Sequence, residues 1–96
     1  MYKIDFNIEA SIEMQEAYEW YENNLLGLGE RFFDTLDVCL EKICETPEQY
    51  QILYKKKRAV YLQDFPYQII FSVYETKIVV YSVFHTKRNP KIWKKR

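Results

Sequence analysis

The sequence predicts an α+β fold. An N-terminal strand precedes an antiparallel helical hairpin packed on one face of a small antiparallel sheet, in the order β-α-α-β-β-β. Two observations carry that expectation. Through residues 8–45, apolar side chains recur at three- and four-residue spacing, the period of a helix face. Beyond Pro47 the period falls to two, or the apolar runs become continuous, as in strands. Helical segments followed by strand segments, instead of strict alternation, separate the two layers. The chain's 96 residues fit one domain, 1–96.

Tyr2, Ile4 and Phe6 alternate with Lys3 and Asp5 and predict a short strand with one buried face. Asn7 suits a helix cap, with Glu9 near the positive end. Ala10, Met14, Ala17, Tyr18, Tyr21 and Leu25 form the apolar stripe of the first helix, and Glu9, Glu13, Glu16, Glu19 and Glu22 fall mostly outside it. This helix stops near Gly27. A second begins at Gly29, with Phe32, Phe33, Leu36, Leu40 and Ile43 as its stripe, and ends at Thr46-Pro47. The short connection makes the pair a hairpin.

Tyr50, Ile52 and Tyr54 alternate weakly, and the run Lys55-Lys56-Lys57-Arg58 interrupts before the strand Ala59–Leu62. Residues 67–74 and 77–84 are strong strands joined by Glu75-Thr76, hence a hairpin. Both are nearly continuously apolar, which places them centrally in the sheet. Asn89-Pro90 ends the regular pattern and leaves a short basic tail containing Trp93.

The net charge of zero hides an asymmetry. Residues 1–50 hold three bases against twelve acids, a balance of −9. Residues 51–96 hold eleven bases against two acids, a balance of +9. The helices therefore form an acidic back and the sheet a basic front that suits polyanions or an acidic partner segment. The alternative is mutual neutralisation across the fold. Seventeen aromatics (nine Tyr, six Phe, two Trp) supply large buried areas to a small core. No run of 18 apolar residues suggests a membrane span, and the N-terminus lacks a signal-peptide core, so a cytoplasmic protein is expected. Cys39 and Cys44 lie five residues apart, without metal-ligand spacing, and read as buried thiols; no metal or cofactor is expected.

Three segments carry a resemblance. They are Ala17-Tyr18-Glu19-Trp20-Tyr21-Glu22 with Gly27-Leu28-Gly29-Glu30-Arg31-Phe32 and Pro47; Phe65-Pro66-Tyr67-Gln68-Ile69-Ile70-Phe71; and His85-Thr86-Lys87-Arg88-Asn89-Pro90-Lys91-Ile92-Trp93. In order and spacing they resemble the RelE/ParE toxin superfamily, plasmid-stabilisation proteins of type II toxin–antitoxin systems. The resemblance implies a toxin neutralised by a cognate antitoxin, in a homodimer or a toxin–antitoxin hetero-oligomer. It implies one of two mechanisms. ParE-like toxins inhibit DNA gyrase by binding. RelE-like toxins are metal-independent mRNA interferases that cleave messenger RNA on the ribosome. The hairpin and the Gly-Leu-Gly-Glu-Arg-Phe segment lie closer to ParE.

RNA cleavage without metal needs a base, an acid and fixed positive charge on the phosphate. Arg58 and Arg88 suit the phosphate, and His85 suits proton transfer. Each has another reading: Arg88 as a turn pin or a partner contact, His85 as a hydrogen-bonding group at the sheet edge. Lys55, Lys56, Lys57, Arg58 and Lys87 form candidate target- or antitoxin-binding charge, against the alternative of a solvated loop. Tyr61 and Tyr81 suit base stacking or sheet packing, and Trp93 suits anchoring the tail or a ligand contact. Trp20 reads as a packing or partner contact. No Gly-rich phosphate loop, paired-acid metal motif or nucleophile motif is present in the sequence.

Overall fold

The computed structural model describes residues 2–96. The elements are β1 (Lys3–Phe6), α1 (Ile8–Asn24), α2 (Leu28–Glu45), a 3₁₀ turn (Pro47–Gln49), β2 (Ile52–Tyr54), β3 (Lys57–Tyr61), β4 (Tyr67–Tyr74), β5 (Lys77–His85) and α3 (Lys91–Lys94). The five strands form one sheet in the order β1-β5-β4-β3-β2. The pairs from β2 to β5 are antiparallel, and the strong strands β4 and β5 lie inside the sheet as expected. The N-terminal strand departs from that pattern: β1 runs parallel to β5, with Lys3 opposite Lys77 and Phe6 opposite Val80. The helical hairpin between β1 and the later strands makes this possible, because a parallel pair needs a long crossover.

Asn7 joins β1 to α1 through its backbone. Its N–H donates to the Val80 carbonyl (2.9 Å), and its carbonyl accepts from Ser11 (3.1 Å). Its side chain makes no capping bond. α1 ends at Asn24, three residues short of Gly27, and Leu25 turns out to 62% exposure instead of completing the stripe. Glu22 then caps α2. Its carboxylate accepts from the Gly27 N–H (2.9 Å) and the Gly29 N–H (3.0 Å), where free N–H groups and the helix dipole favour a negative charge. Gly27 takes φ +88°, a conformation that suits glycine. At Gly29 a Cβ would lie 2.7 Å from the Tyr18 carbonyl oxygen, so only glycine lets the two helices approach this closely.

The main core lies between the hairpin and one face of the sheet. Ala10, Ala17, Tyr21, Phe32, Leu36, Leu40 and Ile43 meet Ile69, Phe71, Ile78, Val80 and Val83. Ring contacts among Tyr21, Phe32, Phe65 and Tyr67, with centroids 5.0–6.2 Å apart, account for part of the heavy aromatic load. On the opposite face Ile70, Phe84 and Trp93 form a smaller cluster under α3. Cys39 and Cys44 are half-buried and free, and burial pushes both thiols up, which suppresses the reactive thiolate.

One charged residue enters the core. Glu13 lies on the buried face of α1 with Ala10, Ala17 and Tyr21, contrary to its expected place outside the stripe. The reason lies in β5. The register shifts between Ile70 and Phe71, whose partners are Ser82 and Val80, so Tyr81 has no opposite residue. This β-bulge frees backbone groups just where β1 has ended. Glu13 Oε1 accepts from Val83 N–H (3.1 Å), Ser82 Oγ (2.9 Å) and Arg96 Nη1 (2.9 Å). Arg96 Nη1 also donates to the Tyr81 carbonyl (3.0 Å). The two side chains are only 9% and 13% exposed, so each depends on the other for charge compensation.

Removing one member of such a pair leaves a buried charge and unmet backbone groups. Glu13→Ala is expected to lower unfolding free energy by about 3–5 kcal/mol in urea denaturation. A loss under about 1 kcal/mol would contradict this role.

Candidate functional site

The cations that the sequence places in front divide into three positions. The first is the sheet face opposite the hairpin. Lys55 and Lys56 are the two central residues of the β2–β3 turn, with φ of +41° and +63°. A two-residue hairpin turn with both φ values positive matches the sheet twist but favours Asn or Gly. Lys in that conformation costs roughly 1 kcal/mol each. Next to the turn, Lys55 Nζ and Lys94 Nζ lie 5.3 Å and 5.1 Å from the Tyr54 ring centre. Lys57 Nζ lies 4.7 Å from the Tyr81 ring, within cation–π range. The Tyr81 hydroxyl shares a 2.9 Å hydrogen bond with Ser72 Oγ, which fixes the ring. Trp93 is buried against Phe84 and holds α3, and with it Lys94, over part of this face. The result is a cluster of lysines and tyrosines on the part of the face that α3 leaves open.

Arg58 occupies the second position. Its Nη1 donates to the carbonyls of Glu48 (2.9 Å) and Tyr50 (2.6 Å). Alternation along β3 turns it away from Lys57, toward the face that carries Val60 and the hairpin. It ties the 3₁₀ turn to the sheet.

The third position is a groove of ≈ 570 Å³ between α1 and the ends of β4 and β5. Its walls include Glu16, Trp20, Tyr67, His85 and Arg88, with Glu13 at its base. His85 Nδ1 accepts from the Lys87 N–H (3.1 Å), so in the neutral ring the proton sits on Nε2. The His85 ring stands edge-on to Tyr67 at 5.1 Å. Burial, with Tyr21 adding to it, pushes the Tyr67 phenol up to about 12; Arg88 pulls it down, and Glu13 and Glu16 push it further up. Tyr67 therefore stays protonated at neutral pH and is no general base there. Trp20 is 61% exposed at the mouth. Lys87 is exposed in the turn after β5. Tyr61 is 68% exposed and borders a separate cavity of ≈ 430 Å³ with Val38 and Asp34 of α2.

The structure thus brings His85 and Arg88 together, and Lys55, Lys57 and Tyr81 together, but it does not join Arg58 to either group. Four participants escape the sequence reading: Glu13, Tyr54, Tyr67 and Lys94. Glu13 alone leaves a local signal, as the one acid at helical spacing with Ala10, Ala17 and Tyr21.

Comparison with known proteins identifies the lineage. The model of the ParE toxin of type II toxin–antitoxin systems, parDE, matches residues 4–90. The chain belongs to that family. A solved structure described as the chromosomal ParDE toxin–antitoxin system from P. aeruginosa shares its fold, with TM-score 0.76 over 91% of this chain and 98% of that one, at 14% identity. No curated protein matches. As a ParE-type toxin of a type II toxin–antitoxin system, the chain shows the α+β fold that the sequence predicts. Among the described residues, no helix is long and apolar enough to cross a membrane.

The Tyr67 shift has a stability consequence. The folded state favours the neutral phenol, so the stabilisation is complete below the unfolded value of about 10 and is lost as pH rises through about 12. Urea midpoints measured across this interval should fall more steeply for the natural chain than for Tyr67→Phe. Parallel profiles would contradict the assignment. A residual slope is expected from Tyr21, which burial also pushes up.

Proposed function

We propose that this ParE-family toxin inhibits growth by binding DNA gyrase in the cytoplasm through Lys55, Lys56, Lys57 and Lys94 with Tyr54 and Tyr81, and that a cognate antitoxin neutralises it. The observation that carries the reading is the set of three lysine-over-tyrosine pairs on the uncovered part of one sheet face. Clustered cations raise the association rate with an acidic surface and orient the encounter. Tyrosines held by packing add contact area at low entropic cost. The lysines at positive φ fit this role, because a turn selected for stability alone favours Asn-Gly.

The separation of Arg58, His85 and Arg88 supports binding over messenger RNA cleavage. Cleavage needs the phosphate clamp and the proton carriers around one scissile bond. Here Arg58 is occupied by two backbone carbonyls, while His85 and Arg88 line a groove beside α1.

Purified protein is expected to inhibit gyrase supercoiling and to leave messenger RNA intact in a translating extract. Codon-position cleavage with untouched supercoiling would overturn the proposal. Lys55→Glu with Lys57→Glu should weaken inhibition by about tenfold or more while the circular dichroism stays unchanged. Replacing Lys55-Lys56 by Asn-Gly should raise stability by about 1 kcal/mol and still weaken inhibition. Unchanged inhibition in both variants would remove the turn from the binding surface.

A further inference from the structure

We propose that β1 is a self-pairing edge. Two copies of this chain join antiparallel along it, about a two-fold axis at Ile4, and merge their five-stranded sheets into one. The proposal does not depend on which target the toxin binds.

The first observation is open backbone. Among the described residues, β1 has β5 on one side and no strand on the other. The Lys3 and Asn7 N–H groups donate to the Thr76 and Val80 carbonyls (both 2.9 Å). Successive residues of a strand turn their N–H and C=O to alternate sides. Lys3, Asp5 and Asn7 therefore turn theirs toward β5, and Tyr2, Ile4 and Phe6 turn theirs out. No turn or loop bond among the described residues takes these outward groups. In an antiparallel join about Ile4 they meet one another. Ile4 faces Ile4 of the second copy, and Tyr2 and Phe6 face its Phe6 and Tyr2, each as a hydrogen-bonded pair.

The second observation is that the strand is its own complement in charge. The same join sets Lys3 opposite Asp5 of the second copy, at the non-hydrogen-bonded positions where side chains approach most closely. Both side chains are exposed, and Lys3 forms no ion pair among the described residues. A join centred on Lys3 or on Asp5 sets like charges face to face, so charge selects the register at Ile4. Edges guarded against pairing carry Pro, bulges or repelling charge. β1 has no Pro, and its two charges attract their counterparts in a second copy. The third observation is bare apolar surface beside the edge. Tyr2 and Ile4 pack on the main core, and Phe6, on the same face of β1, is 38% exposed. A cleft of ≈ 260 Å³ adjoins Phe6, with Met14 of α1 and Leu36 and Leu40 of α2. Residues opposite one another share a face, so Tyr2 of the second copy lies against Phe6 beside this cleft. The two lysine–tyrosine clusters likewise fall on one side of the merged sheet.

Sedimentation equilibrium and hydrogen exchange of the free protein test this. The chain should dimerise reversibly below about 1 mM. The Ile4 amide should exchange at least about tenfold more slowly where dimer predominates than where monomer does. Lys3→Glu and Asp5→Lys should each weaken self-association by about tenfold or more, because each sets like charges opposite one another. An equal mixture of the two variants should associate, since every charged pair across the mixed join has opposite signs. Circular dichroism checks that both variants keep the fold. A chain still monomeric at about 1 mM would overturn the inference. So would a dimer whose Ile4 amide exchanges as fast as the monomer's, or a mixture that associates no more tightly than either variant alone.

Discussion

A single carboxylate oxygen organises the least regular part of this molecule. Glu13 Oε1 collects a backbone N–H, a hydroxyl and a guanidinium from β5 and Arg96. The need arises from topology. β1 is four residues long and covers only the first half of the nine-residue β5, and the bulge at Tyr81 then exposes further backbone at the same place. Buried backbone groups without partners are costly, and no third strand is available to take them. A side chain from α1 and another from Arg96 substitute for it. The same contacts fix the depth at which α1 sits over the sheet and where the chain beyond α3 comes to rest.

That arrangement also separates the cations. Arg96 is drawn to Glu13, and Trp93 packs on Phe84 and Ile70, so α3 lies across one end of the sheet face. Lys94 is thereby carried to Tyr54, beside Lys55 and near Lys57. Arg88, before α3, instead lines the groove beside α1. Two surfaces result from one basic half-chain. One is a lysine–tyrosine face. The other is a polar groove along an unfinished strand edge.

Much of the fold is legible because local and tertiary preferences agree. The helix expected to begin at Gly29 runs from Leu28 to Glu45, and the strands expected at 67–74 and 77–84 are β4 and β5 to within a residue. Continuous apolar runs correctly foretell their inner places. The parallel direction of β1 is not legible, because alternation specifies a face and not a direction. Leu25 is misread because the helix breaks at Asn24 and redirects it. The site is less legible than the fold. Charge counting finds the basic half but cannot see that Arg58 will be consumed by the carbonyls of Glu48 and Tyr50, ten and eight residues back. Nor can it see that the cations will sort onto different faces. Glu13 is the exception: of the five glutamates on α1 it alone shares helical spacing with Ala10, Ala17 and Tyr21, the residues that face the core.

At Val83 the Glu13 side chain stands in for a missing strand. Native-state hydrogen exchange of the Val83 amide in the free protein tests it most directly. The Val83 amide is expected to be protected nearly as well as the inner β4 amides and to exchange only on global unfolding, although no strand among the described residues pairs with Val83 on that side. Exchange near the rate of an unstructured amide, while β4 remains protected, would contradict it.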